Sequence, residues 1–229
     1  MKTLCLFGCF FLLIWFGDPL LAQQKATFSL ANFQAIEASG AMQITLVPAN
    51  EEKVEIEYEN IALEQIVCEV RNQTLYLSTK DQHKGRLVLH CRVYFRSLTS
   101  LSLRGAISVE GKQAIKSSQL KLKAAGASSM RLKLDVDTFV SSTSGASKIY
   151  VSGIAQSQEI SLTGASVYEA FELNSSQADV QAAGTSKVQI WVSQRLKADV
   201  SGTSQVLYRG QPNQTDFQQS GVGSIKSIH

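Results

Sequence analysis

Gly126-Ala127-Ser128, Gly145-Ala146-Ser147, Gly164-Ala165-Ser166, Gly184-Thr185-Ser186 and Gly202-Thr203-Ser204 repeat one tripeptide along the second half of the chain. Gly105-Ala106-Ile107 precedes the series and Gly221-Val222-Gly223 follows it, with successive gaps between the glycines of 21, 19, 19, 20, 18 and 19 residues. A period this short and regular means stacked units, none of which buries its apolar side alone.

Working outward from each glycine shows what one unit is. Two and four positions before five of the seven stand Leu103 and Leu101, Ala124 and Leu122, Leu162 and Ile160, Ala182 and Val180, Val200 and Ala198. Four positions after each stand Val109, Met130, Ile149, Tyr168, Val188, Val206 and Ile225. Polar residues fill the places between, so each unit alternates with period two on both sides of the glycine and reads as strand, tight turn, strand. Gly at the turn supplies the positive φ that a side chain would make costly. The expected fold is all-β: a parallel β-solenoid with two main sheets, about 20 residues per rung, and Gly-Ala/Thr-Ser turns at Gly105, Gly126, Gly145, Gly164, Gly184, Gly202 and Gly221. Ser128, Ser147, Ser166, Ser186 and Ser204 then form a structural hydroxyl ladder, since no His or acid recurs beside them to make it catalytic.

Phe33 to Leu46, with a turn at Gly40, looks like an earlier rung, but 65 residues separate Gly40 from Gly105. Val54–Tyr58 and Ile66–Val70 alternate, Arg71-Asn72-Gln73-Thr74 turns the chain into Leu75-Tyr76-Leu77, and Asn60–Gln65 has room for one helical turn. Residues 23–104 are therefore expected to be an irregular β region sharing the core of the regular repeats in 105–229.

The 229 residues are 44% hydrophobic and 18% charged, with net charge +3 and a pI near 8.6, which excludes disorder and a dedicated nucleic-acid binder. Lys2, the apolar run Leu4 to Phe16, the breaker pair Asp18-Pro19 and Leu20-Leu21-Ala22 read as a secretory signal, residues 1–22, cleaved after Ala22. A membrane span is the rival, cut short by Asp18 and Pro19. A lipoprotein signal on Leu6-Phe7-Gly8-Cys9 would place Cys9 inside the apolar run. Export permits a disulfide between Cys68 and Cys91, and two separately buried thiols are the other reading. The expected location is the periplasm or the cell surface, with no transmembrane segment in the mature chain.

Candidate sites are few. Lys121, Lys123, Arg131 and Lys133 suggest a basic patch for an anionic glycan or lipopolysaccharide. Tyr150, Trp191 and Tyr208 suggest rings for stacking on sugars. Asp179 and Asp199, in the matching triplets Ala178-Asp179-Val180 and Ala198-Asp199-Val200, are a candidate weak calcium site if they meet on neighbouring rungs. His83 sits in a loop, His90 alternates outward and His229 is near the end, none with a partner at triad or metal spacing. No nucleophile elbow, phosphate loop or dinucleotide fingerprint occurs, so no cofactor and no catalytic residue is expected.

The signal, the opening strand with Ser39-Gly40-Ala41, the Asn72 to Leu77 strand and the tandem Gly-[Ala/Thr]-Ser turns together resemble the "putative auto-transporter adhesin, head GIN domain" family, typical of Bacteroidetes. The resemblance implies a two-sheet β-solenoid shaped like pectin-lyase-like proteins without their catalytic groups. It also implies adhesion at the cell envelope and, by analogy with trimeric adhesins, a homotrimer. The stretch Gly221 to His229 carries no strands for an outer-membrane pore, so another machine is expected to bring the protein to the surface. The functional expectation is a noncatalytic exported envelope module for adhesion or scaffolding that binds a glycan or a protein. The alternatives are a polysaccharide lyase or hydrolase and a purely structural oligomer.

Overall fold

The structure, a computed structural model, describes residues 24–80 and 87–228. The signal segment, His83 and His229 lie outside them. The described residues form a parallel β-solenoid of about six turns, each about 19 residues long.

The described residues open with the first rung and the end cap that covers it. β1 (Gln24–Ser29), β2 (Ala35–Pro48) and β3 (Lys53–Glu59) lead through a single 3-10 turn at Leu63–Gln65 to β4 (Ile66–Arg71), β5 (Thr74–Thr79) and β6 (Val88–Phe95). β2 is the first full rung: it pairs in parallel with β5 and β6 on one side and with the next rung on the other. Below it the direction reverses, because β3 and β4 run antiparallel to β6 and β5. The β4–β5 turn is the predicted one, with Asn72 and Gln73 at φ of 49° and 59°, the positive pair that a two-residue hairpin needs. β1 closes the cap antiparallel to β3.

Three long strands follow, β7 (Ser100–Gly126), β8 (Ser129–Gly145) and β9 (Lys148–Leu162), each continuous through the corner opposite the glycine turn. Beyond them the limbs separate into β10 (Val167–Asn174), β11 (Gln177–Ala182), β12 (Lys187–Trp191), β13 (Arg195–Val200), β14 (Gln205–Arg209), β15 (Gln214–Gln219) and β16 (Ser224–Ser227). The limbs after each glycine stack as β9, β10, β12, β14 and β16, and those before it as β9, β11, β13 and β15, all in parallel. These are the two sheets, and their inner faces share one core.

All eight predicted turn glycines, Gly40 included, have positive φ. At Gly164, φ is +88° and an added Cβ would stand 2.5 Å from the Gly145 carbonyl oxygen, so both the dihedral and the closeness of the rung below require glycine. Gly153 and Gly210 also have positive φ, at the opposite corner, where no repeat marked them.

Inward positions line up as the alternation requires. Ile44, Val109, Met130, Ile149, Tyr168, Val188 and Val206 are successive ladder partners, each at most 2% exposed. The serine ladder forms beside the turns, fully buried: the Ser147 hydroxyl accepts from the Ser128 N–H at 3.3 Å and donates to the Gly126 carbonyl at 3.3 Å. Ser166 and Ser186 donate in the same way to Gly145 and Gly164. Each such bond contributes about 1 kcal/mol net.

Two inward places depart from the apolar pattern. Ser141 and Thr143 are buried among Leu122, Ala124, Ile160 and Leu162, and neither hydroxyl has a partner. At the far corner Gln158 is fully buried but satisfied: the Tyr168 hydroxyl donates to its Oε1 at 2.8 Å, and its Nε2 donates to Ser175 Oγ at 2.8 Å. Ser175 Oγ in turn donates to the Trp191 carbonyl at 2.6 Å.

Candidate functional site

Stacking sets the outward residues in columns as surely as the inward ones. Arg131, Tyr150, Glu169, Gln189 and Leu207 are successive partners on the outer side of the sheet after the turns. A register shift in β10 between Glu169 and Glu172 inserts an extra residue. It leaves Phe171 half-buried beside buried Ala170 and exposed Glu172. Such a bulge re-aims side chains out of the regular pattern.

The consequence is a groove of about 460 Å³ along this face, lined by Arg131, Tyr150, Glu169, Phe171, Glu172, Gln189 and Arg209 among others. The Arg131 guanidinium lies 5.3 Å from the Tyr150 ring centre, and that of Arg209 lies 4.4 Å from the ring centre of Phe171. Cation–π contact holds both guanidinium groups. A guanidinium resting on a ring keeps its N–H edge free and loses little freedom when it grips a planar anion. Glu169 and Glu172 supply acceptors in the same hollow.

The basic residues expected to form one patch are divided between two faces. Arg131 and Lys133 lie on the outer side of the sheet after the turn, next to Tyr150 and Ser152. Lys121 and Lys123 belong to the limb before the turn, paired with Val140 and Ser142 on the other sheet. The core lies between them. Of the expected rings, Tyr150 faces the groove. Trp191 lies half-buried on the same sheet, partnered by Arg209 in the ladder. Tyr208 points the other way: it packs on the core and meets Phe217 with ring centres 5.9 Å apart, so it is no platform for a sugar. Phe171 and Arg209 carried no sequence signal, since the bulge that exposes one and the reach of the other across two rungs leave no periodic trace.

Asp179 and Asp199 do not meet as ladder partners. Asp179 pairs with Lys197 on one side and Glu159 on the other, while Asp199 pairs with Gln181. The adjoining rungs are offset by 18 residues there, not 20, which slides the matching triplets two places apart. No group of three or more metal-ligating side chains occurs among the described residues. Glu159 and Asp179 do share a smaller hollow of about 280 Å³ on the opposite face with Ser142, Ser161 and Arg195.

Cys68 and Cys91 are free thiols, and burial pushes both up to about 12. They lie in the cap among apolar side chains. On the cap's outer face His90 stands opposite Glu57, within a network in which Lys25 grips Glu57 at 2.7 Å and Lys53 bridges Glu51 and Glu55, each at 3.1 Å. The Lys53 hydrogen bond holds Glu55 below its ordinary value, and Lys25 does the same to Glu57. No helix among the described residues is long and apolar enough to cross a membrane.

Residues 32–212 match the model of the family described as "Putative auto-transporter adhesin, head GIN domain". The chain belongs to this family. No curated protein matches it. Among solved structures, a putative adhesin from Bacteroides fragilis NCTC 9343 superposes with a TM-score of 0.85 at 19% identity, covering 90% of this chain and 97% of that one. A putative adhesin from Parabacteroides merdae ATCC 43184 gives 0.72 at 16% identity over 90% and 96%. A putative lipid binding protein from Parabacteroides distasonis ATCC 8503 gives 0.70 at 16% identity over 90% and 96%. At these identities the likeness shows a shared fold, and this head GIN domain chain is an adhesin-like β-solenoid.

Proposed function

We propose that this head GIN domain protein is a noncatalytic, exported module of the cell envelope that binds an acidic glycan in the groove between Arg131 and Arg209. The observation that carries the reading is the pair of guanidinium groups held on the Tyr150 and Phe171 rings in one hollow. Two preorganised forks suit the carboxylates of a uronic-acid chain, and the groove carboxylates accept from its hydroxyls. The reading of residues 1–22 as a secretory signal favours a partner outside the cytoplasm.

Calorimetric titration with uronic-acid oligosaccharides tests this. Arg131→Ala and Arg209→Ala should each weaken binding by about tenfold. The double variant Lys121→Glu, Lys123→Glu, on the opposite sheet, should leave it unchanged. Full affinity in the arginine variants, or loss in the lysine variant, would discard the groove. A second reading, a polysaccharide-cleaving enzyme, rests on the neighbouring carboxylates Glu159 and Asp179. Release of new reducing ends or unsaturated sugars, abolished by Glu159→Gln, would support it.

A further inference from the structure

The two ends of the solenoid differ. The first rung is covered by the antiparallel cap, whereas β15 is exposed along its whole length and β16 is at most half-buried. Phe217 and Val222 are 38% and 74% exposed there, next to half-buried Tyr208 and Ile225, which pack on the core. Gln214, Ser220, Val222, Ser224 and Ile228 donate their N–H groups back to the preceding rung, at 2.9 to 3.0 Å. In a parallel ladder the alternate residues direct N–H and C=O to the other side. Thr215, Phe217 and Gln219 of β15 and Ile225 and Ser227 of β16 therefore present unpaired backbone groups along an open edge.

We propose that this end pairs with the same end of a second copy of the chain, related by a two-fold axis that runs along the strands between the two sheets. The rotation sets the glycine corner on the glycine corner and lays β15 antiparallel on β16 of the second copy. Residues then meet at equal distances on either side of Gly221. Phe217 faces Ile225 of the second copy, Thr215 faces Ser227 and Gln219 faces Gly223. Each of these pairs joins two residues with outward backbone groups, so every exposed donor finds an acceptor. Phe217 and Ile225 both point inward, as their partners Ala198 and Val206 do, so the core runs on from one molecule into the other.

The intervening positions decide the partner. Asp216, on the outer face beside Lys197, falls opposite Lys226 of the second copy. Symmetry makes this contact twice. It is a pair without backbone hydrogen bonds, where facing side chains come closest, and opposite charges placed so are favourable while like charges are not. The column Asp179, Lys197, Asp216 would continue in alternating sign into the second copy.

Sedimentation velocity of the purified protein over a range of concentrations tests the pairing. Wild type should show a monomer–dimer equilibrium. Asp216→Lys and Lys226→Asp, each setting like charges face to face twice, should raise the dissociation constant about tenfold or more. An equimolar mixture of the two variants should recover the dimer, because both contacts in the mixed pair become attractive again. The chain carrying both changes should dimerise like wild type, which separates a charge effect from a folding defect. A wild type that stays monomeric, a dimer indifferent to the single reversals, or a mixture that fails to recover it would each overturn the proposal. The last result would also be that of β15 pairing with β15, where Asp216 never meets Lys226.

Discussion

The regular rungs and the end cap bury the same kinds of side chain in one core, yet they are held by different means. From Gly105 to Gly202 each turn repeats a positive-φ glycine, a stacked carbonyl and, in most turns, a buried serine, so every interaction depends on the rung beneath it. In the cap the strands reverse direction and the outer face is tied by ion pairs among Lys25, Lys53, Glu55, Glu57 and Arg92. Repetition gives strength through close approach and tolerates little change at the corner. The cap draws on charge and tolerates crowding better, but answers to pH.

Glycine-to-alanine changes measure this difference most directly. At Gly164 a methyl group meets the Gly145 carbonyl oxygen at 2.5 Å and must also adopt φ near +88°. At Gly40 the dihedral is as unfavourable, +105°, but the nearest atom to an added Cβ is Thr79 Oγ1 at 4.0 Å. Gly164→Ala should therefore cost about 3 kcal/mol or more, from strain and steric conflict together. Gly40→Ala should cost about 1–2 kcal/mol from strain alone. Urea melts that give equal losses would show that rung stacking adds nothing to the requirement for glycine.

The core columns, turn glycines and serine ladder were legible because each residue's place is fixed by its distance from a glycine. What was not legible breaks that count. The bulge in β10 turns Phe171 toward the groove, and the far corner carries Gly153, Gly210 and Gln158 at positions that do not recur. Asp179 and Asp199 show the same rule from the other side. Their identical flanking residues suggested stacking, but they stand five and three places before their glycines, and it is the glycine that sets the register. Tyr208 has the chemistry of a stacking ring, but it lies six places after Gly202, an even count that points it inward like Val206.

Buried polar groups offer a test of intermediate size within the rungs. Tyr168→Phe removes the donor that satisfies Gln158 Oε1 in a closed interior, and should cost about 1–3 kcal/mol. Thr143→Val removes a hydroxyl that has no partner. It keeps the shape and should stabilise by about 1 kcal/mol. Opposite signs in thermal melts would show that the solenoid interior rewards satisfied polar groups and penalises the rest. A loss in both variants would mean that Thr143 makes a bond in solution after all.

Acid should act on the cap first and with the smallest effect. Glu55 and Glu57 lie below the ordinary carboxylate value of 4.5 because Lys53 and Lys25 favour their charged forms. A group depressed in the folded state adds stability above its unfolded value, and that contribution disappears as pH falls through the folded one. The loss therefore begins below about pH 4.5. These side chains are solvent-accessible, so screening keeps the contribution small, and added salt should mimic acid. Hydrogen exchange is the suitable measurement, since repeat structures open locally. Between pH 6 and pH 3, amides of β1 and β3 should lose protection beyond the intrinsic change in rate, while those of β9 to β12 hold theirs. If protection falls evenly along the molecule, the cap's ion pairs are not what distinguishes it. If the cap does open first but does so equally in Lys25→Ala, which lacks the Lys25–Glu57 contact, its sensitivity comes from the antiparallel strands and not from the ion pairs.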